Sequence, residues 1–172
     1  MRIVVTGPES SGKTQLATYL SEASGIPLIP EYAREYIGQL SIPYVEGDLE
    51  AIARRQKEEK DATEGKTVIM DTDLLTTIIW YKEKYKKVPR WIKTEWVNQR
   101  DTIYLICKPD IPWEADPQRE NPKSRVRLYE RYFHYLMSYE KDFYIIKGED
   151  FNNRCDEAIK LLNYLLALQE II

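Results

Sequence analysis

The stretch that decides the fold is Gly7–Thr14, GPESSGKT, set between the apolar run Ile3–Thr6 and a helical pattern that opens at Lys13. It matches GxxxxGK[ST], the spacing of a phosphate-binding loop. Such a loop turns its backbone N–H groups inward around an anion, and glycines at either end permit the dihedrals and the close approach. Lys13 then reaches the outer phosphates and the Thr14 hydroxyl serves as a ligand for Mg²⁺. The helix starting near Lys13 aims its positive end at the same charge. The residues expected to bind a nucleotide cofactor, ATP, are therefore Gly7, Glu9, Ser10, Ser11, Gly12, Lys13, Thr14 and Gln15. The plain alternative is a glycine-containing turn ahead of a helix.

The rest of the composition bounds what such a loop can belong to. The chain has 172 residues, 43% hydrophobic and 31% charged, which predicts one domain over 1–172 with a sizeable core. Its 25 basic and 28 acidic side chains leave a net charge of -3, so a nucleic-acid partner held by phosphate contacts is not expected. Two cysteines and one histidine argue against a disulfide framework, a zinc site and a serine–histidine triad. The first apolar run is too short for a signal peptide or a membrane span, and a cytoplasmic location is expected.

Five short apolar runs read as strands: Ile3 to Thr6, Leu28 and Ile29, Thr67 to Met70, Ile103 to Cys107, and Tyr144 to Ile146. Their unbroken apolar pattern predicts cover on both faces. Helical stretches alternate with them: Lys13 to Glu22, Asp48 to Thr63, Leu74 to Lys86, Pro89 to Val97, Ser124 to Lys141, and Cys155 to Gln169. The last carries Ala158, Leu161, Leu162, Leu165 and Leu168 at helical spacing, facing the sheet. This alternation predicts a three-layer α/β domain on a parallel five-stranded sheet. Pro109 to Lys123, PDIPWEADPQRENPK, holds four prolines and fits neither helix nor ladder strand. It follows the fourth strand, at the sheet edge where open α/β folds bind ligands, and reads as a lid over about 110–127.

Several side chains are candidates for chemistry. Asp71 ends the strand VIMD, where it can hold Mg²⁺ beside Thr14; it or its neighbours can equally cap the helix at Leu74. Asp73 is then free for substrate hydroxyls. Glu31, in EYAREYI after the weak second strand, can take a proton from an attacking hydroxyl, with Asp73 as the next choice. Arg34 can hold substrate or phosphate, and Arg119 is the best choice among the lid cations Arg119, Lys123, Arg125 and Arg127 to neutralise a transferring phosphoryl group. Trp113 serves either as a stacking surface or as an anchor for the lid. His134, Cys107, Trp80, Trp91 and Trp96 read as packing.

GPESSGKT, EYAREY, DTDLLTT and DIPWEADPQR, in that order, resemble the ribosylnicotinamide kinase domain of the bacterial NadR family over most of the chain. The resemblance implies a P-loop kinase fold with strand order 2-3-1-4-5. It implies ATP- and Mg²⁺-dependent phosphorylation of the 5′-hydroxyl of nicotinamide riboside, yielding nicotinamide mononucleotide. By the same resemblance Glu31, Asp71 and Asp73 share base, metal and ribose roles, and Trp113, Asp116 and Arg119 belong to the substrate-side loop. With the P-loop at Gly7, the expectation is a standalone kinase without the family's adenylyltransferase. Some members carry a tryptophan directly before EY; here it is Pro30, which leaves Tyr32, Tyr36 or Trp113 to meet the ring. Two other readings stay open: a kinase of another nucleoside or small polyol, and a nucleotide-sensing module without turnover.

Overall fold

The computed structural model describes residues 1–119 and 123–169. Its elements, in chain order, are β1 (Arg2–Thr6), α1 (Lys13–Ser24), β2 (Leu28–Ile29), α2 (Tyr32–Gly38), α3 (Glu46–Ala62), β3 (Val68–Asp71), α4 (Leu74–Tyr85), α5 (Arg90–Val97), β4 (Thr102–Cys107), α6 (Arg125–Ser138), β5 (Asp142–Ile146) and α7 (Phe151–Gln169). The strands form one parallel sheet in the order β2-β3-β1-β4-β5, with β1 central. The register sets Val5 against Asp71 on one side and against Leu105 on the other. The loop after β1 therefore leaves the carboxyl edge beside the ends of β3 and β4.

Each face of the sheet buries its own core. Residues of α1 and α7, including Leu16, Leu20, Ala158, Leu162 and Leu165, close over Ile3, Val5, Ile69 and Leu105. On the other face α3, α4, α5 and α6 enclose Val4, Val68, Met70, Tyr104 and Ile106, with Trp96 wholly buried among them. The alternation of Ile3 and Val5 with Val4 sends successive side chains to opposite cores, which is why these strands read as unbroken apolar runs.

The structure departs from expectation at a few places. The segment Tyr32–Gly38 is a helix that periodicity does not announce: it spans 7 residues, buries only Ala33, and its N-cap Glu31 makes no side-chain capping bond. At the sheet edge β5 is not covered on both faces; Tyr144 and Ile145 are 39% and 42% exposed. Leu168, expected against the sheet, is exposed, and His134 stands on the outer side of α6 rather than in its packing. The lid ends earlier than 127, because α6 begins at Arg125 and takes Arg125 and Arg127 into its first turn. Positions 120–122 of that lid, and 170–172 of the expected domain, lie outside the described residues. No described helix is long and apolar enough to cross a membrane.

Candidate active site

The loop Gly7–Gly12 owes its shape to conformations few residues tolerate. Gly7 has φ 135, and a Cβ there would sit 2.6 Å from the Cys107 carbonyl oxygen, so β4 closes one side against anything but glycine. Gly12 caps α1 at φ 78, wedged between Ile111 and Phe151, each 3.2 Å from where its Cβ would be. Inside the loop the Ser11 hydroxyl donates to the Pro8 carbonyl at 2.7 Å, and the Lys13 ammonium donates to the same oxygen at 2.8 Å.

Three distant segments clamp this loop from outside. The Glu114 amide donates to Ser10 Oγ at 2.9 Å, and Arg125 donates to the Ser10 and Ile111 carbonyls at 2.8 and 3.0 Å. Arg154, on α7 and only 1% exposed, donates to the carbonyls of Ser11, Lys108 and Gly148 at 3.1, 2.8 and 2.5 Å and pairs with Asp110. Asp110 in turn accepts from the Gly148 amide at 2.8 Å. A guanidinium supplies this many donors in one plane, which is what lets a buried charge be satisfied here.

The loop opens onto a cleft of about 540 Å³, whose walls include Gly7, Glu9, Ser10, Ser11, Gly12, Lys13, Thr14, Gln15, Glu31, Arg34 and Arg119. The structure thus brings together every residue expected to hold the nucleotide, the first-choice base and two of the expected arginines. Burial pushes the Glu31 carboxyl up to about 6; Lys13 opposes the shift, Asp71 adds to it, and Arg34 and Arg119 oppose it. An acid poised there exchanges a proton near neutrality.

Asp71 lies just behind the wall, 3% exposed, with Oδ1 lacking any hydrogen-bond partner. Burial raises its carboxyl, while the Thr14 hydroxyl, Lys13 and Arg34 hold it down. An orphaned carboxylate oxygen beside a P-loop threonine suits a hard divalent cation, which takes one or two protein oxygens and completes its shell with water and phosphate. The donor set fits Mg²⁺ on these residues. Among the described residues no cluster of three or more His, Cys, Asp or Glu offers another metal site.

Other expected site residues stand elsewhere. Asp73 is 2% exposed and turned into the core: Oδ1 caps α4 through the Leu75 amide at 3.0 Å, and Oδ2 accepts from the Tyr104 hydroxyl at 2.7 Å. Both oxygens are engaged, and the residue is absent from the cleft wall. Tyr36 is tied to α3 through Asp48 at 3.0 Å, and the Arg55 guanidinium lies 5.7 Å from the Tyr32 ring centre; neither ring lines the cleft. Trp113 also lies off the wall, its ring flanked by the guanidinium groups of Arg119 and Arg125 at 5.9 and 5.6 Å. That is the geometry of a lid anchor. Asp116 pairs with Arg34, and the Gln118 side-chain amide donates to the Arg34 carbonyl at 3.3 Å, so the lid is fastened to α2.

Sequence reasoning missed three participants. Trp80 packs at the edge of the core and also lines the cleft, beside Tyr44 from the α2–α3 connection. The signal was the face of α4 that carries Thr76, Ile79, Trp80, Glu83 and Lys84 at helical spacing. Arg154 was legible as a charge on the apolar stripe of α7, between Phe151 and Ala158.

A family described as an AAA domain, one of the P-loop families, matches residues 2–154. Among solved structures the fold is similar to that of NadR protein in complex with NR, at TM-score 0.74 and 21% identity, covering 92% of this chain and 49% of that one. A second NadR structure, in complex with NAD and AMP-PNP, matches at TM-score 0.73 and 22% identity over 92% and 47% of the two chains. The chain spans about half the length of these NadR structures. A thymidylate kinase from Ehrlichia chaffeensis matches at TM-score 0.64 and 20% identity, over 94% of this chain and 98% of that one. No curated protein matches the sequence. The expected P-loop kinase fold and its strand order are borne out.

Proposed function

The chain belongs to the AAA domain family, and from that premise we propose that it is an ATP-dependent kinase of a small hydroxyl-bearing molecule, nicotinamide riboside being the acceptor. One observation carries the reading: the Glu31 carboxyl, raised to about 6, faces the same cleft as Lys13, Arg34 and Arg119. A module that only sensed nucleotide has no use for a half-buried acid tuned to exchange protons beside a phosphate cradle.

In this reading Gly7–Thr14 and Gln15 hold the phosphates of ATP and Lys13 spans the outer pair. Thr14 and Asp71 would hold Mg²⁺, which would supply positive charge to the phosphates when bound. Glu31 removes the proton of the acceptor hydroxyl as its oxygen attacks the γ-phosphorus, and ADP departs with the electrons of the broken P–O bond. Arg34 and Arg119 face the charge that develops on the moving phosphoryl group, and the lid, pinned by Trp113 and Asp116, excludes water. Asp73, with both oxygens engaged, keeps its place as the cap of α4. The likeness to a NadR protein in complex with NR favours nicotinamide riboside; Pro30, where some members carry tryptophan, favours another nucleoside.

The test is ADP release from Mg·ATP with nicotinamide riboside, other nucleosides and ring-free polyols, for the wild-type chain and Lys13→Ala. Turnover confined to nicotinamide riboside and reduced by orders of magnitude in Lys13→Ala is expected. No turnover on any acceptor, with tight nucleotide binding, would return the chain to the sensing class.

A further inference from the structure

The cleft has two unlike ends. At one lie the P-loop and Glu31; nearby, the Tyr132 hydroxyl meets Thr76 Oγ1 at 3.3 Å. From Thr76 the wall follows α4 through Ile79, Trp80 and Glu83 to Lys84, about 12 Å at 1.5 Å per residue. The far end is lined by Ile37, Tyr44, Ile79 and Trp80.

Its two charged side chains already have partners. The Glu83 carboxylate accepts from Arg127 at 3.1 and 2.7 Å and pairs with Arg131 at 2.6 Å. The Lys84 ammonium donates to the Tyr44 carbonyl at 2.8 Å and sits 3.4 Å from the centre of the Tyr44 ring. A sugar hydroxyl seated here loses water and must compete with these partners, whereas a flat ring loses little and gains an aromatic face. The Tyr44 and Trp80 rings lie 6.1 Å apart with 30° between their planes. A guest between them needs about 7–8 Å, twice the ordinary contact distance, so it rests on an outer face. The ammonium occupies Tyr44, which leaves the indole.

We propose that Trp80 is the specificity-determining platform for the acceptor: a planar heteroaromatic ring stacks on one face of its indole, and Lys84 is the positioning residue that fixes Tyr44 behind it. This rests on the kinase reading and adds where the ring lies. An electron-poor or cationic ring, such as a pyridinium, suits the negative face of an indole.

The experiment compares wild type, Trp80→Leu, Trp80→Phe and Lys84→Met on nicotinamide riboside, neutral-ring nucleosides and a ring-free polyol. Trp80→Leu should raise the KM of ring-bearing acceptors by roughly 10- to 100-fold, the range of base stacking on an aromatic side chain. The KM of ATP and kcat should stay near wild type. Lys84→Met should raise acceptor KM by a smaller factor, again with kcat unmoved, a split that general loss of structure does not produce. Acceptor-induced quenching of tryptophan fluorescence, present in wild type and lost in the ring-retaining Trp80→Phe, gives the same answer if Trp80→Leu fails to fold. If nicotinamide riboside is phosphorylated and Trp80→Leu leaves its KM unchanged, the platform is overturned and the kinase assignment stands. If only another nucleoside is phosphorylated, with its KM raised in Trp80→Leu, the platform stands and the choice of nicotinamide riboside falls. Phosphorylation of the ring-free polyol alone overturns both, and so does absence of turnover on every acceptor.

Discussion

Replacing Arg154 by methionine tests how the phosphate cradle is held. The side chain is 1% exposed and joins Ser11, Lys108 and Gly148 through their carbonyls, with Asp110 as its counter-charge. Methionine keeps the bulk and the apolar fit on α7 but leaves three carbonyls without this donor and Asp110 with the Gly148 amide alone. Hydrogen bonds to a charged group contribute about 1.5–3 kcal/mol each, yet transferring the guanidinium from water offsets much of their sum. Breaking a buried pair by removing one partner costs about 3–5 kcal/mol. Asp110 is partly open to solvent (23%), so the low end applies. For a domain of this length each kcal/mol moves Tm by about 2–4 °C, which places the loss at roughly 6–12 °C. Only the bond to Ser11 touches the loop directly, so Kd for ATP should rise by about tenfold, or about 1.4 kcal/mol. Calorimetric melting and nucleotide titration measure the two effects separately. A melting point within about 2 °C of wild type refutes the structural role. A lowered melting point with unchanged ATP affinity refutes the claim that Arg154 shapes the loop.

Two further predictions concern the cleft. A base must be ionised to act, and the Glu31 carboxyl is raised to about 6, chiefly by burial; kcat/KM for the acceptor should therefore fall as pH drops through about 6 and level off above about 7. Glu31→Gln should remove that limb and lower kcat by roughly 100-fold or more; a loss below tenfold with the limb intact assigns the proton to another group. Asp116→Asn breaks a half-exposed pair with Arg34, so unfolding free energy should change by less than about 1 kcal/mol, while trypsin cuts the segment 108–124 faster; equal cutting rates would show that the pair does not hold the lid.

How much of this could be read from the sequence depends on how local each signal is. GPESSGKT between a β-branched run and a helix contains its own structural context, and the Asp71 position follows from a strand end beside it. The proline-rich run announces a lid because proline excludes the alternatives. Asp73 misled because two acids flank Thr72 and nothing local shows which turns inward; the bond from Tyr104, 31 positions later, decides it. Trp80 reads as core by its helical neighbours, and only the approach of Tyr44 across the α2–α3 connection reveals a cleft wall. The helix Tyr32–Gly38 hides for a simpler reason: fewer than two turns of buried face leave no period to detect.

The clamps on the phosphate loop have a bearing on how the chain comes into being. Ser10 and Ser11 are tied to residues 104, 115 and 143 positions further on, and β1 pairs only with strands made much later. During synthesis the nucleotide cradle emerges ahead of the residues that hold it, and it acquires its form only once the beginning of α7 has followed. Until then a glycine-rich, unpaired segment waits beside a naked central strand, and the interval of its exposure is set by the translation of the residues from β1 to α7.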